Sequence, residues 1–255
     1  MKVLRSSTTK SETSPKVFIA APFGNYLSYD NTISVTGSWT LKHRAVLLKR
    51  LWRIASSLRY DFNSQGWVNN LGLPNEGIEV GLEKTLPDQV LSIAGIDRDD
   101  WIQLESKISE KQSIELNLSC PNITERTVWN DLPVFFLGDK REWCIAKVSP
   151  LITPEQLSFL IDEVGFTQLH LCNTLPVLKG GLSGKELVPY VLNHLEFIRN
   201  EWGDSLELIA GGGIDSFGVA NDYLAAGANH LSLGSVCFNP LKTRTLINKL
   251  TNHNV

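Results

Sequence analysis

Just before its midpoint the chain reads Ile114-Glu115-Leu116-Asn117-Leu118-Ser119-Cys120-Pro121-Asn122. A short apolar run closed by a turn signal is typical of a buried strand, and Pro121 supplies the stop. Asn117, Cys120 and Asn122 therefore lie at the carboxyl end of the predicted strand. In closed barrels of parallel strands that end carries the active site. The stretch predicts a buried strand followed by a cluster of amides and one thiol that is suited to chemistry.

Similar apolar runs recur along the chain and alternate with helical patterns. The predicted strands are Val17–Ala21, Ile33–Thr36, Leu91–Ala94, Ile114–Leu118, Cys144–Val148, Gln168–Cys172, Glu207–Ala210 and His230–Leu233. The predicted helices are Leu41–Ser57, Asp97–Glu110, Pro154–Val164, Lys185–Glu201, Ser216–Ala226 and Pro240–Leu250. This alternation predicts an α/β fold with a single (β/α)8 TIM barrel over residues 16–255, after a flexible polar tail over residues 1–15. An open doubly wound sheet is the alternative.

Composition restricts the class of partner. The chain has 255 residues, of which 42% are hydrophobic and 20% charged, and its net charge is −3. These values are typical of a globular protein and argue against a nucleic-acid-binding surface. The sequence shows no signal peptide and no apolar run of membrane-spanning length, so we expect a cytoplasmic protein that acts on a small molecule without a membrane partner.

The cysteines and histidines do not indicate a metal site. The four cysteines are far apart in sequence and form no Cys-x-x-Cys pair, and the five histidines show no ligand spacing. Cys144, Cys172 and Cys237 lie in apolar runs, which predicts that they are buried small hydrophobic residues. Cys120 instead lies among polar residues and is the candidate base or nucleophile. That role needs a lowered thiol pKa, a nearby cation or a substrate proton that becomes acidic during the reaction, and an inert cysteine is the alternative.

Lys147 and several amides follow predicted strands. A lysine at the end of the apolar run Cys144–Val148 is costly to bury without a partner, so we interpret Lys147 as a cation that stabilises negative charge on a cofactor or intermediate. The alternative is a lysine that extends to the surface. Asn69-Asn70 and Asn173-Thr174 add amides, which both donate and accept hydrogen bonds and suit a heterocyclic substrate. Trp39 and Trp67 are close enough in sequence to these amides to contact such a ring.

Two turns that contain glycine follow the last two predicted strands. One reads Gly211-Gly212-Gly213-Ile214-Asp215 and the other Gly234-Ser235. Glycine lets backbone N–H groups approach an anion closely, and the start of a following helix adds positive charge. The loops after strands seven and eight of a barrel often bind phosphate. The two turns are therefore candidate phosphate sites, with plain tight turns as the alternative.

These segments together resemble the dihydroorotate dehydrogenase family, flavin enzymes on a (β/α)8 barrel that oxidise dihydroorotate to orotate in pyrimidine biosynthesis. The resemblance covers nearly the whole chain and rests on Glu115–Asn122, Asn70–Asn75, Ser92–Gly95, Gly180–Gly184 and the two glycine turns. A cysteine at position 120 is similar to the soluble class. The membrane-bound class that uses quinone has a serine there and an amino-terminal membrane extension.

The resemblance implies FMN as the cofactor. It implies that Cys120 takes a proton from substrate C5 while hydride passes from C6 to flavin N5, and that Lys147 lies beside the N1–O2 edge of the flavin. The implied substrate-binding residues are Asn69, Leu71, Gly72, Leu73, Asn117, Asn122, Asn173 and Thr174. The implied cofactor-binding residues are Ala21, Ser38, Asn69, Asn117, Lys147, Asn173, Gly184 and, around the phosphate, Gly212, Gly213, Gly234 and Ser235. A homodimer is expected, and fumarate, nicotinamide through a partner subunit, or oxygen would each fit as the electron acceptor.

The chain departs from the family pattern at three places. Val35–Ser38 has Gly37 where the family has a lysine that touches flavin and substrate, and a charge-assisted contact of that kind contributes about 1.5–3 kcal/mol. Another FMN barrel oxidoreductase acting on a different ring, or a flavin-binding protein without turnover, is therefore an alternative function. Lys42 and Lys179 are candidate replacements for the lost cation. Ala20–Gly24 replaces a smaller turn, and Ile123–Trp143 is short for the usual connecting helix.

Overall fold

The computed structural model describes residues 14–44, 57–118 and 141–252, in which eight parallel strands close into a barrel. All twelve described strands, including four outside the barrel, are numbered along the chain. The barrel strands are β1 Val17–Ile19, β2 Thr32–Trp39, β5 Val90–Ile93, β6 Ile114–Asn117, β7 Cys144–Val148, β8 Gln168–Leu171, β11 Glu207–Gly211 and β12 His230–Leu233. β1 pairs with both β2 and β12, which closes the ring. The predicted (β/α)8 barrel is confirmed, and the open sheet is excluded.

Alternation along the strands explains the two apolar layers of the barrel. Val17 and Ile19 belong to the large cluster that includes the helices, whereas Phe18 between them belongs to a second cluster. The second cluster consists of Phe18, Val35, Val90, Trp143, Ile145 and Ile209. Because successive side chains of a strand point to opposite faces, these residues fill the barrel interior.

Helices that follow the barrel strands form the outer layer. They are Ile78–Lys84, Arg98–Lys107, Pro154–Ser158 with a π-helical continuation Phe159–Val164, Val188–Trp202, Phe217–Ala225 and Pro240–Asn252. Asp97, Thr153 and Ser216 each cap a helix by accepting a hydrogen bond from a first-turn N–H group. Five predicted helices are confirmed, and most of the predicted helix Leu41–Ser57 lies outside the described residues. None of the helices in the described segments is long and apolar enough to cross a lipid bilayer.

A small antiparallel sheet extends the carboxyl end of the barrel. Its strands are β3 Arg59–Asp61, β4 Gly66–Asn69, β9 Leu175–Val177 and β10 Gly180–Gly184, in the order β3-β4-β10-β9. The first two follow barrel strand β2, and the last two follow barrel strand β8. The sequence did not predict this sheet, because its strands are short and the glycines of β10 resemble a turn. The sheet lies at the end of the barrel where the predicted site residues gather.

Candidate active site

Two adjoining cavities open at the carboxyl end of the barrel. The larger cavity has a volume of about 330 Å³ and the smaller cavity about 180 Å³. Both are lined by the same boundary residues, which are Ala21, Pro22, Tyr26, Asn69, Leu71, Lys147, Asn173 and Thr174. Concave sites of this kind, mainly apolar with a few converging polar groups, are typical of small-molecule binding.

Most of the residues predicted for the site line these cavities. Those at the larger cavity are Ala21, Asn69, Leu71, Lys147, Asn173, Thr174, Gly212, Gly213, Gly234 and Ser235. Ser38, Leu73 and Asn117 line the smaller cavity. Gly72 and Gly184 line neither cavity; a Cβ on Gly184 would lie 2.8 Å from the Cα of Gly66, so this glycine lets two strands approach closely. Cys120 and Asn122 lie outside the described residues.

A chain of hydrogen bonds orients the amides of the smaller cavity. Asn173 Nδ2 donates to Asn117 Oδ1, and Asn117 Nδ2 donates to Ser38 Oγ, each at 2.9 Å. Ser38 Oγ lies 2.9 Å from Ser92 Oγ, which donates to Glu115 Oε1 at 3.0 Å. Since Ser92 uses its one proton for the carboxylate, Ser38 is the donor between the two serines. The chain thereby fixes which side of the Asn117 amide faces each neighbour.

Glu115 is the buried anion at the base of the site. Its Oε1 atom lies 3.5 Å from Lys147 Nζ, and its Oε2 atom lies 2.6 Å from His170 Nδ1. Burial raises the pKa of Glu115, but the charge of Lys147 and the hydrogen bonds from His170 and Ser92 lower it to about 2. Glu115 is therefore ionised at neutral pH.

His170 is the neutral partner of this group. Burial and the nearby charge of Lys147 lower the pKa of His170 below its ordinary value of 6.5, although Glu115 opposes them. At neutral pH the ring is uncharged. Because Glu115 can only accept, the proton of the ring lies on Nδ1 and the Nε2 atom is an acceptor.

The sequence alone indicates no role for Glu115 or His170. The available signal was a polar residue inside an apolar strand on the same face as a predicted site residue, since Glu115 precedes Asn117 by two positions. The strand register then aligns Asn117 with Lys147 and Lys147 with His170. That alignment of β6, β7 and β8 brings the side chains of Glu115, Lys147 and His170 together. The register between strands cannot be read from a single sequence.

The structure explains the glycines of the two turns in different ways. Gly212 and Gly213 have φ values of 101° and 74°, which L side chains rarely adopt. Gly234 has φ of −112°, and a Cβ there would meet nothing closer than Ala20 Cβ at 3.9 Å. Packing does not require a glycine at position 234, which leaves space in the larger cavity. In the same cavity Ser232 Oγ is buried and has no hydrogen-bond partner among the described residues. Free space and an unsatisfied hydroxyl both fit a polar, phosphate-bearing cofactor.

Backbone conformation and packing also explain the glycine at position 37. Its φ is 95°, and a Cβ there would lie 2.4 Å from the carbonyl oxygen of Ser92 and 2.6 Å from Trp39 Cδ1. A lysine therefore does not fit at this position. Lys42 and Lys179 line neither cavity, and Lys179 lies in a separate surface recess with Arg59. Of the described residues that line the two cavities, Lys147 alone carries a positive charge.

Aromatic side chains form one wall of the larger cavity. Phe23 packs edge-to-face on Phe238 with ring centroids 4.9 Å apart, and Phe238 lies 4.5 Å from Trp67. Pro22 and Phe23, which replace the family's smaller turn, both line this cavity. Trp39 instead lines the smaller cavity. The altered first turn therefore contributes apolar surface to the site.

The three described cysteines are unsuited to catalysis. Cys172 and Cys237 are buried as predicted, and Cys144 is half-buried. Burial raises the pKa of each thiol to about 12, so all three are protonated at neutral pH. Within residues 14–44, 57–118 and 141–252, no three His, Cys, Asp or Glu side chains come together as metal ligands.

Similarity to known proteins identifies the family. The family model for dihydroorotate dehydrogenase matches residues 147–253. The catalytic subunit of dihydroorotate dehydrogenase B (NAD(+)) from Endomicrobium trichonymphae is 30% identical over an alignment of 234 residues that covers 79% of this chain and 72% of that protein. The protein of the same name from Latilactobacillus sakei is 27% identical over an alignment of 208 residues that covers 68% of this chain and 67% of that protein. A crystal structure of DHODH from Eimeria tenella in complex with ferulenol matches with a TM-score of 0.71 and 18% identity, over 93% of this chain and 80% of that chain, which shows the shared fold. The chain belongs to the dihydroorotate dehydrogenase family of oxidoreductases.

Proposed function

We propose that this family member oxidises dihydroorotate to orotate with FMN as its cofactor. The observation that carries the proposal is the position of Lys147, which lines both cavities beside the amides of Asn69, Asn117 and Asn173. A pyrimidine ring presents C=O and N–H groups that such amides can bind. A buried cation at the junction of the two cavities stabilises negative charge that develops on either occupant.

The larger cavity suits the cofactor. We assign the phosphate to Gly212, Gly213, Gly234 and Ser235, whose turns follow the seventh and eighth barrel strands. Lys147 is the cation next to the ring system. When bound, FMN supplies the hydride acceptor that no side chain provides.

The smaller cavity suits the substrate. Asn117 and Asn173 are held in one orientation by the hydrogen bonds that run to Ser38, so they present a fixed pattern of donors and acceptors. Leu71, Leu73 and Thr174 also line this cavity. Cys120 follows Asn117 by three positions, and we assign to it the removal of the proton from substrate C5, with Asn122 as a further substrate-binding amide.

A turnover assay tests this function. Orotate formed from dihydroorotate is measured in the presence of FMN and an artificial electron acceptor. We expect turnover by the unaltered chain and a fall in kcat of at least about 100-fold in Cys120→Ala, the loss typical of a removed general base. Cys144→Ala is the control and should keep its kcat, because Cys144 begins β7 away from the cavities. Orotate formation that is unchanged in Cys120→Ala would contradict the assignment.

A second candidate substrate is a dihydropyrimidine without a carboxylate. The observation that favours it is Gly37, because the neighbouring Ser92 carbonyl leaves no room for the family's lysine. Lys147 is already paired with Glu115, so its charge is partly neutralised. The values of kcat/KM for dihydroorotate and for dihydrouracil, which lacks the carboxylate, separate the two. A higher value for dihydroorotate supports the first function, and a higher value for dihydrouracil supports the second.

A further inference from the structure

We propose that His170 and Ser232 form a hydroxyl-binding pair on the floor of the larger cavity and bind one hydroxyl group of the ribityl chain of the cofactor. This assignment rests on the proposed use of FMN and names two residues that the sequence motifs do not include. Both residues line the larger cavity, together with Lys147 and the glycine turns.

Glu115 determines which nitrogen of His170 faces the ligand. The carboxylate accepts a hydrogen bond from Nδ1–H at a nitrogen–oxygen distance of 2.6 Å, and it is itself fixed by Ser92 at 3.0 Å and by Lys147 at 3.5 Å. Rotation of the ring or transfer of its proton to Nε2 would leave the buried carboxylate without this donor. The Nε2 atom is therefore held as an acceptor. Glu115 acts here as a positioning residue.

The Nε2 atom and Ser232 approach the same point. A Cβ built on Gly211 would lie 2.8 Å from His170 Nε2 and 3.0 Å from Ser232 Cβ. Strand register pairs Gly211 with Ser232, so the two side chains lie against one small residue. No hydrogen bond joins them, and Ser232 Oγ is buried without a partner in the described part of the chain. A buried hydroxyl without a partner is unfavourable, which indicates that a ligand completes it.

The two groups define the chemistry of that ligand. Nε2 accepts a hydrogen bond, and Ser232 Oγ can donate one. An alcohol satisfies both, since its hydrogen goes to Nε2 and its oxygen accepts from Ser232. A carbonyl cannot donate to Nε2, and an ammonium group cannot accept from Ser232. A polyol chain in the cavity that also contains the candidate phosphate site supplies such an alcohol.

Equilibrium binding of FMN to the full chain tests the pair without reference to turnover. Flavin fluorescence is titrated with the flavin-free protein, for the unaltered chain and for Ser232→Ala, His170→Leu and His170→Gln. We expect Ser232→Ala and His170→Leu each to weaken FMN binding about tenfold, the loss that corresponds to one neutral hydrogen bond. We expect His170→Gln, which keeps an acceptor, to bind FMN more tightly than His170→Leu.

Analogues of FMN that each lack one ribityl hydroxyl identify the partner. For one of these analogues the unaltered chain and Ser232→Ala should have equal affinity, because the group that Ser232 binds is then absent. A loss in Ser232→Ala that is the same for FMN and for every analogue would overturn the pair, since the effect would then not pass through a hydroxyl.

Two control variants match the pair. His230 has the same 2.6 Å contact with a glutamate, Glu207, but lies at the start of its strand, and His230→Gln should leave FMN affinity unchanged. Ser34 is buried on β2 away from both cavities, and Ser34→Ala should do the same. Failure of the unaltered chain to bind FMN would overturn the proposed cofactor and the pair together. Unchanged FMN binding in Ser232→Ala would overturn the pair alone.

Discussion

The Nδ1 atom of His170 lies 2.6 Å from the Oε2 atom of Glu115, although the two residues are 55 positions apart in sequence. Lys147 stands on the strand between them, and its Nζ atom lies 3.5 Å from the same carboxylate. One anion, one cation and one neutral ring are thus buried together at the base of both cavities. A buried group of this composition is balanced only while all its members are present.

Glu115→Gln should destabilise the protein strongly. The substitution keeps the shape of the side chain but leaves the charge of Lys147 buried without its counter-charge, at a cost of about 3–5 kcal/mol. Urea denaturation measures the free energy of unfolding. Glu207→Gln is the control, because Glu207 makes the same contact with a histidine but its side chain is 37% exposed, and there we expect about 1 kcal/mol or less. Equal small losses in both variants would show that Glu115 is not a buried counter-charge.

Stability should fall as the pH drops through two windows. The pKa of His170 is lowered from 6.5, so below about pH 6.5 the unfolded chain binds a proton that the folded chain does not. The pKa of Glu115 is lowered from 4.5 to about 2, so its contribution is complete above pH 4.5 and is lost as the pH falls towards 2. Urea denaturation between pH 8 and pH 5 should show a shallower slope for His170→Gln, on the order of one bound proton fewer.

His194 contributes to the same pH window, because burial lowers its pKa as well. The informative quantity is therefore the difference between the two proteins, in which the contribution of His194 cancels. Parallel curves for the unaltered chain and His170→Gln would mean that His170 titrates alike in the folded and unfolded states.

Gly37→Lys, which restores the residue typical of the family, should destabilise the chain. A side chain at this position has an unfavourable φ of 95° and a Cβ 2.4 Å from the Ser92 carbonyl oxygen, so we expect a loss of at least about 2 kcal/mol. The matched control is Gly218→Lys on an exposed helix, where a Cβ meets nothing closer than Ser216 Oγ at 3.9 Å. There the change should stay within about 0.5 kcal/mol. Native stability in Gly37→Lys would show that strand β2 can shift to admit the lysine.

Gly234→Ala should separate binding from folding. The added methyl group meets only Ala20 Cβ at 3.9 Å, so packing should be undisturbed and the free energy of unfolding should change less than in Gly213→Ala, while the methyl occupies space beside the predicted phosphate. We expect FMN affinity to fall at least about tenfold, as judged by fluorescence titration. Gly213→Ala should instead lose about 1–3 kcal/mol of stability, because its φ is 74° and Val188 lies 2.7 Å from the added atom. Full FMN affinity in Gly234→Ala would place the phosphate elsewhere.

The barrel could be predicted from sequence because its strands are short apolar runs separated by helical periodicity. Even there, the sequence could not reveal the sheet that contains β10, since Gly180–Gly184 has the composition of a turn and is a strand through pairing with β4 and β9. Local pattern predicts an element well when its own side chains decide its conformation. It fails where the partner strand decides.

The site could be predicted in part. Lys147, Asn117 and Asn173 lie at or just after the carboxyl ends of their strands, and the parallel barrel brings all such ends together. The Glu115–His170 contact could not be predicted, because it depends on the register of three strands. The sequence likewise showed that Gly37 replaces a lysine, but the reason lies in the Ser92 carbonyl on the neighbouring strand.

The visible spectrum of the FMN-loaded protein during anaerobic addition of dihydroorotate tests the central claim most directly. We predict that the flavin absorption band bleaches on addition of substrate, and that Cys120→Ala retains the band and bleaches far more slowly. A flavin band that persists unchanged in the unaltered protein at saturating dihydroorotate would contradict the proposed oxidation of dihydroorotate.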